Sequence, residues 1–148
     1  MVSNSELSRL FSIFAELLLL HDKNERLAGL LSGAAYRLRR MNTEVMETAA
    51  KELAAQFRPQ VTGIIRELKN TGTISALDEL ITLTPPGLFE MMGIRGLGGK
   101  KLSSLWKVPK IDTIEGLHDA ARSGKLRNVP GFGAKTEQNI LKAIETYN

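Results

Sequence analysis

Two stretches, Ile94-Arg95-Gly96-Leu97-Gly98-Gly99-Lys100-Lys101 and Val129-Pro130-Gly131-Phe132-Gly133-Ala134-Lys135-Thr136, repeat one pattern of apolar residue, spacer, glycine, apolar residue, glycine, small residue and lysine. A tight reversal between helices needs backbone angles that side chains penalise and glycine does not. Each stretch therefore reads as a hairpin whose central Leu97 or Phe132 points inward, while the second glycine opens a new helix. The first N–H groups of a helix lack intrahelical partners, and with the positive end of the helix dipole they form a site for an anion such as a phosphate. Lys100, Lys101 and Lys135 stand in the first turns, where a cation opposes the dipole by about 0.3–1 kcal/mol. A bound anion would remove that conflict. The expected phosphate-binding set is Gly96, Gly98, Lys100, Lys101, Gly131, Gly133, Lys135 and Thr136.

The charges support that placement. Residues 1–94 carry ten Lys and Arg against eleven Asp and Glu, whereas residues 95–148 carry ten against five. The net positive charge thus belongs to the segment holding both repeats, as a phosphate-binding surface requires. Metal and nucleophile chemistry finds little support. There is no cysteine, no Asp-x-Asp pair exists, and His21 and His118 lack ligand spacing. No catalytic residue is expected in this chain.

The elements that must position the repeats are all helical, since no segment alternates with period two long enough for a strand. At 148 residues the chain is one domain or two small ones. Ser3 and Glu6 form a capping box for a helix over 4–21 with Leu7, Leu10, Phe11, Phe14, Leu17 and Leu18 at helical spacing. A second helix covers 24–39, with Leu27, Leu30, Leu31, Ala34 and Leu38 inward. A third follows Asn42 or Thr43, and a fourth runs from Pro59 to a C-cap at Gly72. A short helix follows Thr73. Thr84 is expected to cap another that opens with Pro85 and ends at Met91. Beyond the first repeat come a helix to Trp106, one from an Asp112/Glu115 capping box to Ser123, and a last one over 134–147. Met91, Met92 and Trp106 are expected in the core beneath the first repeat. The longest apolar run, Phe14 to Leu20, is interrupted by Glu16 and too short to span a bilayer. Without a signal-peptide pattern, a cytoplasmic location is expected.

The repeats resemble the helix-hairpin-helix motif of proteins that bind DNA without reading its sequence. In their order, Ala35-Tyr36-Arg37, Ile65-Arg66-Glu67-Leu68 with Thr71-Gly72, Ile94 to Leu105, and Ala120-Ala121-Arg122-Ser123-Gly124-Lys125-Leu126 running into Val129–Ile140 resemble the N-terminal part of bacterial X-family, polymerase-beta-like DNA polymerases. The resemblance implies an all-α helical array with two tandem motifs and one degenerate one. It implies a polymerase-beta-like N-terminal domain over 1–83 and a duplex-gripping subdomain over 84–148, with the boundary near Thr82–Pro86.

In this family the small domain carries a further motif. Gln56 and Arg58 stand here where its glycines would be, so it is expected to be degenerate. Tyr36 matches a tyrosine near the family's 5′-phosphate pocket, and Arg58 is its expected companion, but Ser32 and Gln60 replace lysines. The position of the lysine that forms a Schiff base in some members is Ile64, which has no amine, and Lys69 lies elsewhere on the helix. The resemblance further implies a monovalent cation, Na⁺ or K⁺, on the backbone carbonyls of Met92, Ile94 and Leu97. Gapped or duplex DNA is the expected partner, and a monomer the expected state. The parent protein is expected to be a Mg²⁺-dependent DNA polymerase of which this chain is a fragment. The alternatives are a helical protein-interaction scaffold without DNA binding, or an abasic-site lyase using a replacement amine.

Overall fold

The computed structural model describes residues 2–107 and 109–147. They form an all-α array: α1 (Asn4–Leu20), α2 (Glu25–Leu38), a 3-10 turn (Val45–Glu47), α3 (Ala50–Gln56), α4 (Pro59–Thr71), α5 (Ser75–Leu83), α6 (Pro86–Met92), α7 (Gly99–Lys107), α8 (Ile114–Arg122), a second 3-10 turn (Leu126–Asn128) and α9 (Ala134–Tyr147). No described helix is long and apolar enough to cross a membrane. The chain divides into two compact units, Met1–Leu19 with Lys23–Ile81, and Leu20–Asp22 with Thr82–Asn148.

In the first unit, helical spacing places Leu7, Phe11, Phe14 and Leu17 of α1 on one buried face, where they join Leu31, Leu38, Leu53, Val61, Ile65 and Leu68. One half of the predicted Ser3/Glu6 capping box forms, Ser3 Oγ accepting from Glu6 N–H at 3.1 Å, while the Glu6 carboxylate accepts from the Ser3 hydroxyl at 3.2 Å. Asn4 does more than open the helix. Its Nδ2 donates to Thr43 O at 2.8 Å and its Oδ1 accepts from Val45 N–H at 2.8 Å. That bracket converts the expected start of a third helix into the 3-10 turn, and regular α3 begins only at Ala50. On α2 the buried set is Ala28, Leu31, Ala34, Ala35 and Leu38, whereas Leu27 and Leu30 are only half-buried. The degenerate motif keeps its two helices but not its corner. Phe57 and Arg58 join α3 to α4 in extended backbone, with φ −127° and −64°, and neither takes the left-handed angles of a glycine turn.

The second unit is built on Leu88 and Met91 of α6, Leu102 and Leu105 of α7, Leu117 of α8, Leu126, and Ile140 and Ile144 of α9. Two caps differ from the sequence expectation, one because a tertiary partner engages the side chain and one because the neighbouring residue caps instead. Thr84 Oγ1 lies 2.8 Å from His21 Nε2, so α6 starts at Pro86 without a side-chain cap. At α8 the cap is Thr113, whose Oγ1 accepts from Gly116 N–H at 3.0 Å, rather than Asp112. Trp106 is half-buried rather than core, its ring edge meeting His21 at 5.4 Å between centroids, and Met92 is half-buried while Met91 is fully covered. Gly87 sits so close to the loop before α8 that an added Cβ would lie 2.0 Å from Asp112 O.

Candidate nucleic-acid interface

The second corner joins the 3-10 turn Leu126–Asn128 to α9. Phe132 N–H donates to Val129 O at 3.0 Å, which closes the turn. Gly131 takes φ +86°, a left-handed angle that costs a side chain about 1–2 kcal/mol. Phe132 is buried beneath it, while Gly131, Gly133, Ala134 and Lys135 are exposed. Gly133 O then accepts from Glu137 N–H at 2.9 Å, marking Gly133 as the cap of α9. Helix geometry leaves the amides of Ala134, Lys135 and Thr136 with no intrahelical acceptor. None of the three bonds to any described residue. The corner thus presents open amides at a helix start.

A carboxylate in this first turn would repel an anion, yet α9 carries one. Glu137 is turned inward, its side chain 4% exposed, with Arg127 Nη2 donating to Oε1 at 2.8 Å. Arg127 Nε donates to the same oxygen at 3.2 Å and Arg127 N–H to Oε2 at 3.1 Å. The Arg127 hydrogen bond holds the Glu137 carboxyl below its ordinary range, against the opposing effect of burial. The negative charge is neutralised behind the corner, and the pair ties the turn before Gly131 to the helix after it.

The first corner repeats this path. Leu97 N–H donates to Ile94 O at 3.2 Å, Gly96 takes φ +95°, Leu97 is 5% exposed, and Gly98 O accepts from Leu102 N–H at 3.0 Å as the cap of α7. Gly96, Gly98 and Lys100 are exposed and Lys101 half-exposed. Ile94 and Leu97, whose carbonyls belong to the expected cation set with that of Met92, are both buried as side chains, so only their backbones face the turn.

Residues expected to form a pocket in the first unit are not all brought together. Arg58 borders a 210 Å³ groove floored by Gly29 and Gly33 and shared with Arg37 and Phe57. Tyr36 does not line it; that ring is 52% exposed and carries the Arg40 guanidinium 4.5 Å from its centroid. Arg37 donates to Gln56 O and lies 5.1 Å from the Phe57 centroid, capping the end of α3. Ile64 is half-buried, Ser32 and Gln60 are exposed, and Lys69 Nζ is bonded to Thr48 O at 2.5 Å.

Sequence reasoning missed the Arg127–Glu137 pair, because a separation of ten positions across a turn hides it from helical spacing. It also missed a 620 Å³ groove in the second unit, where Arg95 and Gly96 of the first corner face Asn139, Lys142 and Thr146 of α9. Their recurrence at helical spacing along α9 was the available signal. Among the described residues, no three His, Asp or Glu side chains cluster as metal ligands.

Comparison with known proteins agrees with this geometry. Residues 88–146 match the family described as the SAM-like helix-hairpin-helix tandem. Over 81 residues, 55% of its length, the chain is 36% identical to the DNA polymerase/3′-5′ exonuclease PolX of Bacillus subtilis (strain 168), of which it spans 14%. The resemblance to bacterial X-family polymerases is thus supported by similarity to one such enzyme over about half of the chain.

Proposed function

We propose, from a chain bearing a tandem helix-hairpin-helix and similar to an X-family polymerase over half its length, that the protein binds DNA through backbone phosphates. It does so as part of an X-family repair polymerase. The observation that carries this reading is the corner built twice on a left-handed glycine before a helix, of which the second opens α9 with exposed residues and turns that helix's own acid, Glu137, away. The amides around Gly131, Gly133, Lys135 and Thr136 hold one phosphate site, and those around Gly96, Gly98, Lys100 and Lys101 another. A monovalent cation on the Met92, Ile94 and Leu97 carbonyls would supply local positive charge at the first of them. Residues 1–83 serve as the polymerase-beta-like N-terminal domain and 84–148 as the duplex-gripping part of a bacterial, cytoplasmic repair enzyme. This chain positions DNA, and nucleotidyl transfer belongs to the rest of the parent. With Ile64 at the Schiff-base position, lyase chemistry is not part of its role.

Phosphate contacts position a duplex without specifying bases. If the corners neutralise about two to four phosphates, they contribute a log–log salt slope of roughly −2 to −4. Fluorescence anisotropy on a labelled duplex across a KCl series measures it. Lys101→Glu with Lys135→Glu is expected to abolish binding while leaving helicity by circular dichroism unchanged. A slope near zero, or wild-type binding by that double variant, would refute the reading.

A further inference from the structure

The groove beside the first corner is not accounted for by the two helix starts. One wall is the corner itself, Gly93 to Gly96, and the other is one face of α9 formed by Asn139, Lys142, Ala143 and Thr146. These α9 positions recur at intervals of three and four, so they stack along one stripe of the helix. The adjoining stripe, with Ile140 and Ile144, is buried in the core of the unit and fixes the rotation of α9. The groove face is therefore set by packing rather than by the groove residues.

Its chemistry is one-sided. Arg95 and Lys142 are both exposed, no carboxylate lines the groove, and neither cation is ion-paired with a described residue. Asn139 adds an amide that can donate. Meanwhile α9 begins at the second corner, so Lys142 lies about 10 Å along the helix axis from Lys135 at 1.5 Å per residue. One rigid element thus carries open amides at its first turn and a free ammonium facing the other corner two turns later.

We propose that this groove is a third backbone site, in which Arg95 and Lys142 each neutralise one phosphate of the strand held at the first corner. Asn139 donates a hydrogen bond between them. This rests on the reading of the corners as phosphate sites and extends it, because it assigns contacts that neither a helix start nor a hairpin glycine supplies. The occupant is a nucleic-acid strand because the groove is open, continuous with Gly96, and the charged side chains that line it, Arg95 and Lys142, are both positive.

The test uses the full chain and the same labelled duplex across a KCl series. Lys142→Gln alone is expected to make the log–log slope shallower by about 0.9, and Arg95→Gln with Lys142→Gln by about 1.8. Affinity near 0.1 M salt should fall on the order of tenfold per charge removed. Both residues are exposed, so melting temperatures should not move. If the double variant keeps wild-type slope and affinity while Lys101→Glu with Lys135→Glu abolishes binding, the groove assignment fails and the corner reading stands. A change on Arg95→Gln but none on Lys142→Gln equally overturns it, since the α9 wall is then unused. If neither pair alters binding, the corner reading itself is wrong.

Discussion

At the scale of single residues, the two glycines of each corner perform different physical tasks. Gly131 is held at φ +86° with open space where a Cβ would go, so alanine there meets strain and no clash. Gly131→Ala is expected to cost about 1–2 kcal/mol of stability, read as a lower melting temperature. Gly133 is also open, but its φ is ordinary. Gly133→Ala should cost only about 0.5 kcal/mol through the weaker cap while placing a methyl group on the exposed corner, so DNA affinity should fall before stability does. Phe132 is the apolar pin, and Phe132→Ala is expected to cost about 3–5 kcal/mol. These roles were legible from the sequence because glycine, apolar residue and glycine recur twice in one register. Tyr36 with Arg58 was not legible in the same way. Matching positions to a motif does not reveal that Arg40 occupies the tyrosine ring or that Arg37 is drawn to the end of α3.

At the scale of elements, regular helices were readable from periodicity, but their ends were not wherever another side chain engaged the expected cap or took its place. Thr84 and Asp112 have the side chains of caps, yet His21 engages the first and Thr113 displaces the second. The strongest element-level device is the tie between the second 3-10 turn and α9. Glu137 has its folded pKa lowered by Arg127, so the stability it contributes is fully present above the ordinary glutamate value of 4.5 and is lost as pH falls through the depressed folded value. Thermal melts between pH 7 and pH 3 should show Glu137→Gln less stable than wild type at neutral pH and the difference shrinking in acid. Helix α2 shows the opposite case, a sequence that undercuts its own element. Gly29 and Gly33 stand in its interior, exposed, with nothing within 4 Å of an added Cβ. Gly33→Ala is expected to raise stability by about 0.5–1 kcal/mol, measurable by urea unfolding.

At the scale of the whole molecule, charge separates where chemistry does. The segment before Arg95 is near neutral and the segment from it onward is strongly basic, so electrostatic steering should draw a polyanion to the second unit. Because the proposed contacts are to phosphates, competition between duplexes of unrelated sequence is expected to give affinities within a few-fold of each other at fixed salt. Fold class and the duplicated corner could be read from residue type and spacing alone. Of the basic groove only the α9 stripe of Asn139, Lys142 and Thr146 was visible in the spacing, because the groove itself arises when α9 is packed against the corner that precedes it in the chain.

The close approach of Gly87 to Asp112 carries a consequence for inheritance. Even the smallest side chain there would press into a backbone oxygen at 2.0 Å and force α6 off its seat. The hairpin that follows α6 would tilt with it. In a saturation library scored for duplex retention, position 87 should therefore behave as an intolerant site although it belongs to neither hairpin, and its losses would mimic those of a contact residue. Only a melting curve taken beside the affinity would reveal that the lesion is mechanical.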